Sequence, residues 1–154
     1  MDIARYMKRN VISIQASATI REAAAIFVKH HIGLLPVVDE DNRPVGIVSL
    51  RDLLSLELPD FVNFIADLDF VHDFGAVETT RPSADVLDQP VDSLTKPAVP
   101  VMENEGLLRA YALMLQHDLH DIPVVSREGK LVGIASRVDL GTAILSAWEN
   151  VDRA

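Results

Sequence analysis

The chain has 154 residues, 49% hydrophobic and 24% charged, with a net charge of −9 and no cysteine. That length suffices for one domain with a real hydrophobic core, while the acidic balance argues against nucleic acid, whose phosphates need clustered Lys and Arg. Without a thiol there is no disulfide framework, thiol redox chemistry or thiolate metal site. No apolar run approaches the roughly 20 residues that cross a bilayer, and the opening MDIARYMKRN lacks a signal-peptide apolar core. A soluble cytoplasmic protein without a membrane span is the expectation.

In chain order, residues 11–14 form a short β-branched run and read as a strand. Thr19-Ile20-Arg21-Glu22 has the pattern of a capping box. The helix it opens runs to about residue 31, with Ile20, Ala23, Ala24, Phe27 and Val28 on one face. Residues 35–38 read as a strand, 39–43 as a polar turn, 45–49 as a third strand and 51–58 as a second short helix. Pro59-Asp60 then suits a helix start and Gly75 a stop. Between them Phe61, Phe64, Ile65, Leu68 and Val71 recur at three- and four-residue steps. This helix, over 60–74, buries its apolar face either on its own domain or on a second copy or partner. Residues 76–92 read as a polar connector.

After the connector the chain starts again. IGLLPVVDEDNRPVGIVSLRDL at 32–53 returns at 119–140 as LHDIPVVSREGKLVGIASRVDL, 87 positions later, with nine of 22 residues identical. At the same offset Met7-Lys8-Arg9 falls on Leu94-Thr95-Lys96, and Ile20, Ala23 and Phe27 fall on Leu107, Ala110 and Met114. The second unit therefore repeats strand, helix, strand, strand, helix, its last helix covering 138–149. The division is 1–58, first repeat; 59–91, inserted helix and connector; 92–154, second repeat. One unit cannot bury both faces of a three-stranded sheet, but two can. The expected fold is α/β, of the α+β type, with two tandem β-α-β-β-α repeats packed with pseudo-twofold symmetry into one module. Two equivalent clefts lie between the repeats.

Ser49 and Asp52 stand where a strand hands over to a helix, as do Ser136 and Asp139. Ser and Asp near a helix start serve as caps. The same placement can offer N–H groups to an anion and a carboxylate to the vicinal hydroxyls of a ribose. Both readings are open on the residues alone.

Leu35-Pro36-Val37-Val38 with Val45-Gly46-Ile47-Val48-Ser49-Leu50-Arg51-Asp52 recurs as Ile122-Pro123-Val124-Val125 with Val132-Gly133-Ile134-Ala135-Ser136-Arg137-Val138-Asp139. This doubled pattern closely resembles the tandem CBS-domain pair, or Bateman module. The resemblance implies that the Asp binds ribose, that the Ser sits beside it, and that adenine lies between aliphatic residues. It also implies clefts assembled across repeats. The first would join Ser49, Arg51 and Asp52 to Ala98, Val99, Val101, His120, Asp121 and Pro123. The second would join Ser136, Val138 and Asp139 to Val11, Ile12, Ile14, Gly33, Leu34 and Pro36.

Relatives that hold phosphates often carry His or Arg just before the Leu-Pro-Val strand, whereas this chain has Gly33-Leu34 and His120-Asp121. The Asp121 carboxylate would repel a phosphate unless Arg51 or Arg137 offsets it. That disfavours ATP relative to AMP, adenosine or an S-adenosyl compound. Lys8, Arg9 and Lys96 read as solvated cations, with reach toward an anionic ligand tail as the lesser alternative. His30, His31, His117 and His120 lie near helix C-termini, where positive charge complements the dipole, and their spacing matches no metal site. No catalytic constellation is present. The chain reads as a non-enzymatic, stand-alone regulatory sensor with no required cofactor. Its regulatory ligand would be an adenine nucleotide (AMP, ADP or ATP), adenosine or S-adenosylmethionine. It would act as a homodimer, with an effector protein as a further partner. The alternative is a ligand-free assembly module working through protein–protein contacts. Trp148 is a candidate interface residue.

Overall fold

The computed structural model describes residues 2–56 and 81–151. The helix expected over 60–74, with its phenylalanines, lies outside the described residues.

The first repeat comprises strand β1 (Ile14–Gln15), helix α1 (Ile20–His30), strands β2 (Leu34–Val38) and β3 (Pro44–Ser49) and helix α2 (Leu50–Leu54). A short helix α3 (Ala84–Leu87), capped by Ser83, precedes the second repeat. That repeat has β4 (Val101–Met102), α4 (Leu107–Gln116), β5 (Asp121–Val125), β6 (Leu131–Ser136) and α5 (Arg137–Ser146). Local chemistry accounts for most boundaries. Thr19 Oγ1 accepts from the Glu22 N–H at 3.1 Å, and Glu22 Oε2 accepts from the Thr19 N–H at 3.3 Å, the expected capping box. The β2–β3 turn is held by Asp39 Oδ1, which accepts from the N–H groups of Asp41 and Arg43, both at 2.9 Å. Asn42 takes φ 62° in that turn, and in the second repeat Gly129 takes φ 82° at the equivalent place.

Each repeat builds its own three-stranded sheet. β1 lies parallel to β2, and β2 antiparallel to β3; β4, β5 and β6 repeat the arrangement. α1 buries Ile20, Ala23 and Phe27 on the first sheet; α4 buries Leu107, Ala110 and Met114 on the second. These are the two triplets aligned in the sequence.

The first strand is shorter than expected over 11–14, because the chain ahead of it is engaged elsewhere. Lys8 exchanges backbone hydrogen bonds with Ile134 in β6, at 2.8 and 2.9 Å, and Lys96 does the same with Ile47 in β3, both at 2.9 Å. Each repeat's lead-in thus crosses to the other. Ile3 and Met7 pack in the second repeat's core, Val91 in the first. Further upstream Asp2 bridges Gly106 and Pro90 bridges Thr19. These pairs match only if the lead-ins are offset by 88 residues rather than 87. Lys8 is therefore the counterpart of Lys96, and the earlier alignment of Lys8 with Thr95 is corrected. One residue fewer separates the second lead-in from its strand.

Candidate functional site

Both Ser-x-x-Asp junctions form complete capping boxes. In the first, the Asp52 N–H donates to Ser49 Oγ at 3.1 Å, and Asp52 Oδ2 accepts from the Ser49 N–H at 2.8 Å and from its hydroxyl at 2.9 Å. In the second, the Asp139 N–H donates to Ser136 Oγ and Asp139 Oδ2 accepts from the Ser136 N–H, both at 3.0 Å. The capping reading therefore holds at each junction. It engages one carboxylate oxygen of each Asp and leaves Oδ1 for something else.

What Oδ1 meets differs between the two. Lys96 Nζ lies 2.8 Å from Asp52 Oδ1. Asp52 is the one buried charged residue among the described residues. Burial alone would raise its pKa, but the Lys96 ammonium and the two Ser49 donors outweigh it and hold the carboxyl below its ordinary value of 3.8. Lys96 is thus not simply solvated, as its sequence context suggested. It reaches into the cleft from the second repeat's lead-in. No ion pair to Asp139 forms among the described residues, and that side chain is half-buried.

The grouping of the remaining residues differs from expectation. In the β2–β3 hairpin Leu34 pairs with Ser49, and the Leu50 N–H donates to the Gly33 carbonyl at 3.0 Å. In the β5–β6 hairpin Asp121 pairs with Ser136, and the Arg137 N–H donates to the His120 carbonyl at 3.0 Å. Gly33, Leu34 and Pro36 therefore stand on the Asp52 side, and His120, Asp121 and Pro123 on the Asp139 side. This reverses the assignment made from sequence. The reason is covalent: an antiparallel hairpin keeps its two strands together, so only the lead-ins cross between repeats. Ser49, Arg51 and Asp52 remain with the lead-in running from Lys96 toward Ala98 and Val99. Ser136, Val138 and Asp139 remain with the lead-in running from Lys8 toward Val11 and Ile12.

Depth separates these residues further. Ile14 and Val101 start the edge strands β1 and β4 and belong to the two cores, and Pro36 and Pro123 are buried in the hairpins. Val11, Ile12, Ala98 and Val99 are half-buried, as an aliphatic slot requires. Arg51 and Val138 are exposed. Arg137 is tied back to its own loop, Nε donating to the Leu119 carbonyl at 2.6 Å and Nη2 to Asp118 Oδ1 at 3.3 Å. The cation that acts on Asp121 is Lys8. Burial raises the Asp121 pKa, Lys8 and His120 pull it down, and the neighbouring Asp139 pushes it up, so the net direction is upward. Arg9 turns away and donates to the Ala4 carbonyl at 3.1 Å. The described histidines are all exposed, with His31 ending α1 in the left-handed conformation. Among the described residues no group of three or more His, Asp or Glu could hold a metal ion, and no helix is long and apolar enough to cross a membrane.

From sequence the two lead-in lysines were at most within reach of a ligand's anionic tail, and a contact of Lys96 with a junction carboxylate was not foreseen. The signal was present in Lys8 and Lys96, but a one-residue slip hid their equivalence.

Comparison with known proteins agrees with this architecture. The family model for the CBS domain matches residues 2–58 and 91–146. A 17.7 kDa protein of Acidianus ambivalens is 29% identical over 136 residues, 88% of this chain and 68% of that protein. The CBS domain-containing protein CBSX1, chloroplastic, of Arabidopsis thaliana is 30% identical over 151 residues, 95% of this chain and 64% of that protein. The chain thus spans about two thirds of the length of these curated relatives. Among solved structures, CBSX2 of Arabidopsis thaliana in complex with AMP superimposes with a TM-score of 0.69 at 26% identity, covering 94% of this chain and 96% of that one. The chain belongs to the CBS-domain family, as a tandem pair of repeats with their lead-ins exchanged.

Proposed function

We propose that the chain is a non-enzymatic regulatory module that binds an adenosine-containing ligand in a cleft between its repeats. It passes the occupied state to a second copy of itself or to an effector protein. The observation that carries this reading is Asp139 Oδ1. It is a carboxylate oxygen without an ion-pair partner among the described residues, on a half-buried residue, near a lead-in that brings half-buried Val11 and Ile12. A carboxylate there suits two vicinal hydroxyls, and an aliphatic slot suits a purine, the usual division between orienting groups and apolar area in small-molecule sites. The AMP complex of CBSX2 supports the same ligand class. CBSX1, aligned over 95% of this chain, is named for the domain and not for a reaction, which favours regulation over catalysis.

A thermal-shift series with adenosine, AMP, ADP, ATP and S-adenosylmethionine tests the reading. A ligand at 100 times its dissociation constant adds about 2.7 kcal/mol to stability, enough to move the midpoint by several degrees. A flat response to all five at millimolar concentration would sink it. The second reading, a ligand-free assembly module, is favoured by one specific observation: Asp52 is already fully satisfied by Ser49 and Lys96. It predicts that flat response together with normal self-association.

A further inference from the structure

We infer that the two clefts are unequal: only the Asp139 cleft is open to the nucleoside, and Asp121, which stands opposite the junction serine where the other cleft has Leu34, keeps Lys8 from closing it as Lys96 closes the other. The inference rests on the nucleoside reading above and adds which cleft works and which residue decides.

The exchanged lead-ins put two lysines in equivalent places. Lys8 and Lys96 hold the same position, each bridged through its backbone to the middle of the other repeat's last strand, at Ile134 and Ile47. Each ammonium therefore starts from the same place relative to a Ser-x-x-Asp junction. The residue paired with the junction serine is where the clefts differ. Opposite Ser49 it is Leu34, and opposite Ser136 it is Asp121.

Leu34 offers a cation nothing. Lys96 closes on Asp52 Oδ1 at 2.8 Å, and Ser49 occupies Oδ2. Both oxygens are then engaged. A ribose diol would have to displace an ammonium–carboxylate ion pair with hydroxyl donors that carry no charge of their own. In the other cleft a second carboxylate, Asp121, pairs with the junction serine. Its charge attracts Lys8, and among the described residues Lys8 closes an ion pair on neither Asp121 nor Asp139. Oδ1 of Asp139 remains available. Two carboxylates at this junction also leave little net positive charge for a phosphate, so uncharged adenosine is the fitting probe.

Lys8 and Asp121 can be tested as a pair because the second change should undo the first. Isothermal titration calorimetry with adenosine is expected to give one site per wild-type chain. Asp121→Leu, which copies the Leu34 arrangement, should weaken binding by about tenfold or more, an order set by one lost charge-assisted contact. Adding Lys8→Met to that variant should restore the affinity, a result that also shows the fold intact. Asp52→Asn should leave binding unchanged, and Lys96→Met should raise the stoichiometry from one to two. Two sites in the wild type would overturn the inference while leaving the nucleoside reading in place. So would loss of binding in Asp52→Asn, a fully active Asp121→Leu, a double variant that is not rescued, or a single site in Lys96→Met. No adenosine binding by either the wild type or Lys96→Met would overturn both.

Discussion

Asp52 and Asp139 occupy the same step of the same capping box, and the difference between them comes from where a lysine goes. For Asp52 the folded-state pKa lies below the ordinary 3.8, because Lys96 and Ser49 outweigh the cost of burial. A carboxyl depressed by folding contributes stability that is fully present above its unfolded value and is lost as pH falls through the folded one. Asp121 has the opposite sign. Burial, opposed by Lys8 and His120 and assisted by Asp139, raises it. Its ionised form therefore costs stability above the folded value, and the cost is relieved as pH falls through that value toward 3.8. Asp52→Asn is expected to lower stability by about 1–3 kcal/mol near neutral pH, the range for a lost charged hydrogen bond at a buried site. The deficit should shrink as the pH drops below about 4, where the wild-type carboxyl begins to protonate. Asp121→Asn should instead stabilise near neutral pH and converge with the wild type in acid. Denaturant melts at several pH values check both, and a deficit for Asp52→Asn that stays constant into acid would show that Lys96 does not hold this group ionised.

Among the elements, the crossing lead-ins and the third strands meet most tightly at two glycines. A Cβ on Gly46 would meet the Thr95 side chain and the Lys96 carbonyl oxygen, the latter at 2.6 Å, whereas the three atoms nearest to one on Gly133 all belong to the Met7 side chain. A carbonyl locked in a backbone bridge cannot move aside, but an unbranched thioether can. Gly46→Ala should therefore cost about 1–3 kcal/mol, the range for overpacking, and Gly133→Ala distinctly less. Equal costs, read from chemical melts, would mean that the first crossing yields as easily as the second. This level also marks how far the sequence could be read. Thr19 with Glu22, the Pro-Val-Val strands and the helix triplets were legible because each is local or repeated at a constant spacing. The crossing was not, because Lys8 and Lys96 sit in segments too dissimilar to reveal a slip of one residue. The cleft grouping failed for a related reason: a repeat states which residues are equivalent, but not which copy supplies the neighbour. Hydrogen bonds between Lys8 and Ile134, and between Lys96 and Ile47, supply that information.

At the scale of the whole molecule, the helices present more apolar surface than one chain's described residues cover. Val28 in α1 is 75% exposed and Leu54 in α2 is 49%, while in the second repeat Val138 is 71% exposed and Trp148 is 61%. Between α1, α2 and residues 82–87 lies an apolar groove of about 560 Å³, lined by Ile20, Phe27, Leu50, Leu53 and Leu87. Apolar patches of this extent on a folded chain commonly mark an interface. Helix-mediated pairing of two copies would cover it, and each large side chain removed from water there is worth roughly 1.5–3 kcal/mol. That surplus must exceed the cost of association, so several such residues are needed. The expectation is a homodimer at tens of micromolar, disrupted by Val28→Lys with Leu54→Lys. Because both side chains are already exposed, the variant should stay folded, with circular dichroism matching the wild type. Sedimentation velocity decides the matter. A wild type that sediments as a monomer would rule out the dimer, and a variant that remains dimeric would place the interface on α4 and α5 instead. A variant that stays dimeric but melts several degrees lower would mean that the chain's own residues cover the groove, whose rim includes Leu56 and Pro82.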